Sequence, residues 1–133
     1  MSQFIQKVIL LFVLMLLLVQ NINGVRVNIM NSLEGNLNLT VHCKSKDDDL
    51  GIHLLRHGGN FGWKFEPNFF GGTLFYCSFA WNHERHYFDI YQSDDYDKTD
   101  CDNCNWNIFK LGPCRHQEPM DPICFPWNEQ KIM

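Results

Sequence analysis

The sequence predicts an all-β fold: a small antiparallel β-sandwich of about seven or eight short strands, stabilised by disulfides. Three observations carry this. From residue 25 onward apolar and polar residues alternate with period two, and no segment there shows the 3.6-residue period of an amphipathic helix. Breaks rich in Gly, Pro, Asn and Asp interrupt the alternation about every eight to twelve residues, the spacing of short strands folded back on one another. Twelve aromatic residues lie between Phe61 and Tyr91. Each buries about 150–250 Å², enough together to build a core in a chain of this length.

A leader stands ahead of the strands. The first seven residues form a short lead with one cation, Lys7; Val8–Val19 is an unbroken run of twelve apolar residues; residues 20–24 are polar except for Ile22 and end on a small residue, Gly24. This is the three-part layout of a secretory signal peptide. As a helix, the apolar run rises about 18 Å, short of the roughly 30 Å of a bilayer core. The expected organisation is therefore a signal peptide over residues 1–24, a sandwich domain over 25–114 and an extended tail over 115–133. No later apolar run approaches the length of a membrane span, so no membrane insertion is expected.

The strands follow in order. Val25, Val27 and Ile29 alternate with Arg26, Asn28 and Met30, and a turn follows over Asn31–Gly35. Leu37, Leu39, Val41 and Cys43 face one side of the next strand, with Asn38, Thr40 and His42 on the other. After the charged loop Lys44–Asp49 comes a short strand, Ile52–Leu55, closed by His57-Gly58-Gly59-Asn60. Phe61, Trp63 and Phe65 mark the fourth strand, and Pro67–Gly72 a connection. Thr73–Trp81 places Phe75, Cys77, Phe79 and Trp81 on one face. In Arg85–Tyr91, Tyr87 and Tyr91 are expected on one face and Phe88 and Ile90 on the other. A long acidic loop, Ser93–Asn103, leads to a last strand over Asn105–Leu111, ended by Gly112-Pro113. Three prolines and little periodicity after Arg115 predict the extended tail.

Charge excludes some partners. The chain carries 11 Lys and Arg against 15 Asp and Glu, and removal of the leader takes away only Lys7, so the remainder is one unit more negative than the −4 of the whole. Nucleic-acid binding would call for a basic face instead. Five carboxylates, Asp94, Asp95, Asp97, Asp100 and Asp102, fall within nine residues. They lack the spacing and central glycine of a calcium-binding hand loop. They read first as a solvated, mutually repelling loop, which at one end of a rigid sandwich is expected to offer an electrostatic recognition surface.

The six cysteines, Cys43, Cys77, Cys101, Cys104, Cys114 and Cys124, all follow the leader. An even number behind a signal peptide reads as disulfides, favoured over a zinc set of Cys101, Cys104, Cys114, His116 and Cys124 because exported chains meet an oxidising compartment. The catalytic inventory is poor. His83-Glu84-Arg85-His86 places its histidines three apart instead of the four of a zinc protease helix, and there is no nucleophile elbow or phosphate-cradling glycine loop. No enzyme activity, cofactor or metal is expected. Asn38-Leu39-Thr40 is the one Asn-x-Ser/Thr sequon, which makes Asn38 a glycosylation candidate in a secreted chain.

Several blocks carry a family resemblance. They are Val27–Asn31; the run Val41-His42-Cys43-Lys44-Ser45-Lys46-Asp47-Asp48-Asp49-Leu50-Gly51; Gly72–Phe79 with Trp81; Phe88–Tyr91; and Cys104–Ile108. In these the chain resembles the plant self-incompatibility S-protein homologues, over about Val25 to Cys114. The resemblance implies a secreted, non-enzymatic β-sandwich that signals by binding a cell-surface partner, a plasma-membrane receptor. It also implies pairing of Cys77 with Cys104 and of Cys43 with Cys114, which leaves Cys101 for Cys124. The chain departs from the family pattern at Leu111-Gly112, where Asp-Gly is usual, and in its long C-terminal tail. The partner-binding surface is expected on the Asp94–Asp102 loop. The alternative function is a secreted defence protein that binds microbial surfaces or glycans.

Overall fold

The structure is a computed structural model, and it describes residues 2–22, 24–94 and 101–128. The leader forms one helix, α1 (Gln3–Ile22), with its side chains through Leu18 exposed. Among the described residues no helix is long and apolar enough to cross a membrane.

Nine strands follow among the described residues: β1 (Val25–Asn31), β2 (Leu39–Lys44), β3 (Asp49–Leu55), β4 (Asn60–Phe65), β5 (Leu74–Trp81), β6 (Glu84–Gln92), β7 (Asn103–Phe109), β8 (Gly112–Gln117) and β9 (Met120–Cys124). They form two sheets, one ordered β4-β1-β7-β8-β9 and the other β3-β2-β5-β6. The predicted β-sandwich is therefore present. All pairings are antiparallel except β1 with β7, which run parallel.

Alternation decides which residues are buried, because successive side chains point to opposite faces of a strand. Val25, Val27 and Ile29 of β1, Cys104, Trp106 and Ile108 of β7, Leu39, Val41 and Cys43 of β2, and Phe75, Cys77, Phe79 and Trp81 of β5 are all buried. Phe61, Trp63 and Phe65 of β4 are partly buried against them. The aromatic run between Phe61 and Tyr91 thus serves mainly as core, with rings such as Phe65 and Tyr91 meeting edge to face at 4.8 Å.

Three expectations are corrected. The first concerns Tyr91. The register of β5 with β6 shifts between Phe75 and Tyr76, so Tyr91 opposes Phe75 while Asp89 opposes Tyr76. The extra residue is a β-bulge, which resets the alternation, and Ile90 and Tyr91 are both buried.

The second concerns residues 115–133. They do not begin as an extended tail: β8 and β9 pair as a hairpin at the edge of the five-stranded sheet. Proline lacks an amide donor but is tolerated on an edge strand, where Pro122 sits. Beyond β9 the chain crosses from one sheet to the other. Phe125 N donates to Pro113 O at 2.9 Å, and Asn128 N donates to Tyr87 O at 2.9 Å. Phe125 packs on Phe88 and Trp106, and Trp127 on Phe79, Trp81 and His86. Gly112 permits this crossing, since a Cβ there would collide with the Phe125 carbonyl.

The third concerns the cysteines. All six are bonded, but as Cys43–Cys77, Cys101–Cys104 and Cys114–Cys124, not as Cys77–Cys104, Cys43–Cys114 and Cys101–Cys124. Register explains two bonds: Cys43 lies directly opposite Cys77, and Cys114 opposite Cys124. Cys43 points into the core from one sheet. Cys114 pairs with Asn107, whose neighbours Trp106 and Ile108 hold the inner face, so it lies on the outer face of the other sheet. Sheets pack about 10 Å apart, which leaves that pair out of reach. Cys101 precedes β7, whereas Cys124 lies beside Cys114 at the level of Asn107, roughly 13 Å further along the strand direction.

Candidate functional site

Strand directions sort the connections onto the two ends of the sandwich. One end collects the β2–β3, β4–β5 and β6–β7 connections and the β8–β9 turn; the other collects β1–β2, β3–β4, β5–β6 and β7–β8. The sequence-predicted acidic surface falls at the first end. Asp94 is exposed just after β6 and Asp102 is exposed just before β7. Asp95, Asp97 and Asp100 lie outside the described residues.

The β2–β3 loop brings a second acidic run to the same end. Asp47, Asp48 and Asp49 are exposed, and the loop is closed by Ser45 N donating to Asp48 O at 2.8 Å and Asp48 N donating to Ser45 Oγ at 3.1 Å. Asp49 Oδ1 accepts the Gly51 N–H at 2.9 Å and lies 2.7 Å from His42 Nε2. The Gly51 N–H first, and His42 second, hold the Asp49 carboxyl below its ordinary 3.8.

The β4–β5 connection, Glu66–Thr73, completes the end. Asn68 N donates to Thr73 Oγ1 at 2.8 Å and Gly71 N donates to Asn68 O at 3.1 Å. Gly71 and Gly72 take positive φ of 85° and 83°, a conformation open to glycine at little cost. Thr73 and Ser93 then lock this loop to the start of the acidic one, by Thr73 N to Ser93 Oγ at 3.0 Å and Ser93 N to Thr73 O at 2.9 Å. Between the β2–β3 and β4–β5 loops runs a shallow groove of about 330 Å³, lined among others by Asp47, Asp48, Glu66 and Tyr76. Sequence reasoning treated Pro67–Gly72 as a plain connection and so missed Phe69 and Phe70, which are 95% and 97% exposed at its tip. The available signal was an apolar pair set between turn-forming Pro-Asn and Gly-Gly.

Asn38 is exposed immediately before β2, at the opposite end. There it borders a groove with Thr40 and the β5–β6 turn. His83 sits exposed in that turn with φ 66°. His86 turns inward, and its ring stacks between Trp81 at 4.9 Å and Trp127 at 5.1 Å. The two histidines therefore occupy different environments. Among the described residues no three His, Cys, Asp or Glu side chains are grouped as a metal set.

Comparison with known proteins agrees with the fold and the sequence blocks. The family model described as plant self-incompatibility protein S1 matches residues 26–127. S-protein homolog 2 of Arabidopsis thaliana is 44% identical over 109 residues, covering 77% of this chain and 68% of that one. S-protein homolog 29 of the same plant is 45% identical over 105 residues, covering 77% and 76%. A solved structure described as belonging to the SPH (Self-Incompatibility Protein Homologue) proteins, "a widespread family of small, highly stable, secreted proteins from plants", superposes with a TM-score of 0.60. It covers 81% of this chain and 97% of that one at 17% identity, a likeness of fold. The family match runs from Arg26 in β1 to Trp127 in the C-terminal crossing, and the chain belongs to the plant self-incompatibility protein S1 family, whose members are secreted.

Proposed function

We propose that this secreted protein is a non-enzymatic recognition ligand that binds a plasma-membrane receptor through the loop end built from β2–β3, β4–β5 and β6–β7. The observation that carries the reading is the gathering of separate acidic segments, Asp47–Asp49 with Asp94 and Asp102, at one end of a rigid sandwich. A surface with an excess of one charge sign steers encounter with a basic patch and disfavours acidic partners. Residues 1–24 act as a cleaved signal peptide in this reading. Asn38 carries a glycan at the opposite end, where it leaves the acidic end uncovered.

The test is binding of the labelled protein to plant cells. Replacing Asp94, Asp95 and Asp97 with Asn is expected to weaken saturable binding about tenfold or more, since removing interfacial charges slows association and raises salt sensitivity. Unchanged binding removes this loop from the mechanism. The defence reading, with aromatic side chains stacking on glycans, has less support: none of the four Trp is open to a sugar, since Trp81 and Trp106 are buried and Trp63 and Trp127 pack against the core, and the exposed rings Phe69, Phe70, Tyr76 and Tyr87 are divided between a loop tip and the strands.

A further inference from the structure

We propose that Phe69 and Phe70 are the apolar anchor of this recognition end, and that they fill an apolar pocket rimmed by Lys and Arg on a protein receptor. This deepens the recognition reading and rests on it. Soluble proteins expose single apolar residues routinely, but two adjacent Phe side chains at 95% and 97% exposure form a patch that asks for a partner. The two rings meet edge to face, with centroids 5.2 Å apart and planes at 88°. They therefore present one combined knob.

The knob stands on an ordered support. The Asn68–Thr73 and Gly71–Asn68 hydrogen bonds close the turn beneath it, and the Thr73–Ser93 pair fastens that turn to the β6 terminus. A pre-organised loop loses little conformational freedom on binding, which is the property of an interface anchor. Large aromatic side chains surrounded by weaker polar contacts are also the usual composition of a binding hot spot.

The charges around the knob select the occupant. Asp94 Oδ1 lies 3.2 Å from the position a Cβ would take on Gly71, directly after Phe70. Glu66 is exposed at the root of the same loop, and Asp47 and Asp48 stand across the groove. With Asp49 and Asp102, the described carboxylates around the β2–β3, β4–β5 and β6–β7 loops number six against four cations, Arg26, Lys44, Lys46 and Lys64, an acidic excess. An anionic lipid surface attracts basic segments and is opposed by such a rim. A second copy docking by two-fold symmetry would set the same carboxylates against one another. An apolar pocket with a basic rim satisfies both the knob and its surround.

The test compares the wild-type protein with F69S/F70S and with F69L/F70L in binding to plant cells, alongside melting temperatures. The two Phe are solvent-exposed, so the variants are expected to melt as wild type does. F69S/F70S is expected to bind about 100-fold or more weakly, and F69L/F70L to recover part of that loss. Saturable wild-type binding that F69S/F70S leaves unchanged overturns the anchor while the recognition reading stands. Absence of saturable, protease-sensitive wild-type binding overturns both. Two further arms use anionic phosphatidylserine vesicles and sedimentation velocity. Phe-dependent binding to vesicles, or Phe-dependent self-association, overturns the assignment to a receptor protein.

Discussion

Asn31 shows how much one polar side chain organises. It is fully buried, with Nδ2 donating to Leu37 O at 2.8 Å and to Leu55 O at 3.0 Å while Oδ1 accepts the Leu33 N–H at 3.0 Å. Its backbone exchanges hydrogen bonds with Gly58 and Gly59. One residue thus joins the end of β1, the β1–β2 loop, the end of β3 and the β3–β4 turn. Asn31→Ala strands two buried backbone groups, Leu55 O and Leu33 N–H, and the part-buried Leu37 O, and each fully buried orphan costs about 1–3 kcal/mol. We expect a loss on the order of 3 kcal/mol in denaturant unfolding, with an unchanged m-value. A loss under about 1 kcal/mol would mean that water replaces the side chain. Asp49 gives a prediction in pH. Its carboxyl is lowered by the Gly51 N–H and by His42. A lowered acid contributes stability that is complete above its unfolded value, near 3.8, and fades as pH falls through the lowered one. Asp49→Asn is therefore expected to flatten the acid limb of the stability–pH curve below about pH 4. An unaltered limb would show that the Asp49 contacts do not differ from their unfolded counterparts. Tyr91 is shifted the other way, raised by burial and then by the Asp102 charge. Its contribution is present below pH 10 and lost as pH rises toward the raised value.

Strands with one buried face were legible in the sequence. The apolar sets of β1, β2, β4 and β5 could be read residue by residue, because a one-residue slip would expose the whole set. What the sequence concealed had physical reasons. A bulge in β6 adds a residue to the count and turns Tyr91 inward without any local signature. Prolines obscured β9, although an edge strand accepts them. Cysteine pairing depends on which strands are neighbours, and spacing along the chain does not reveal that. The acidic loop was legible as a feature, and the strand order supplied its company: Asp47–Asp49 and the Phe69–Phe70 tip lie far from it in sequence. The C-terminal crossing yields a prediction at this scale. Trp127 donates Nε1–H to Lys110 O at 2.9 Å and stacks on His86. Trp127→Ala is expected to cost about 2–3 kcal/mol, a little below a fully buried Trp. Hydrogen exchange should rise first along β6 and β8, the strands that the crossing joins. Exchange confined to residues 125–128 would show that the crossing adds nothing to the sandwich.

Over the whole molecule, covalent and packing constraints fall on the same framework. Each disulfide lies within one sheet or at a strand start: Cys43–Cys77 joins β2 to β5, Cys114–Cys124 joins β8 to β9, and Cys101–Cys104 closes the entry to β7. The sheets are held to each other by the core and by the Phe125–Asn128 crossing. The sequence separation of 34 for Cys43–Cys77 exceeds the 10 and 3 of the others. In the chain-entropy account this bond contributes the most, about 3.8 kcal/mol against roughly 2.7 and 1.6. Its removal should therefore lower the melting temperature most. Such a framework leaves the loops at its ends free to vary while their positions stay fixed. One end carries the acidic segments and the exposed Phe pair, and the other carries Asn38. The central claim is that the first end alone makes the recognition contact. It is tested most directly by titrating plant cells with three labelled proteins: wild type, a variant with Asp94, Asp95 and Asp97 as Asn, and a far-end variant with Asn38→Gln and Leu111→Ser. The account predicts a rise in Kd of about tenfold or more for the first variant and none for the second. Equal losses, or a loss confined to the far-end variant, would contradict it.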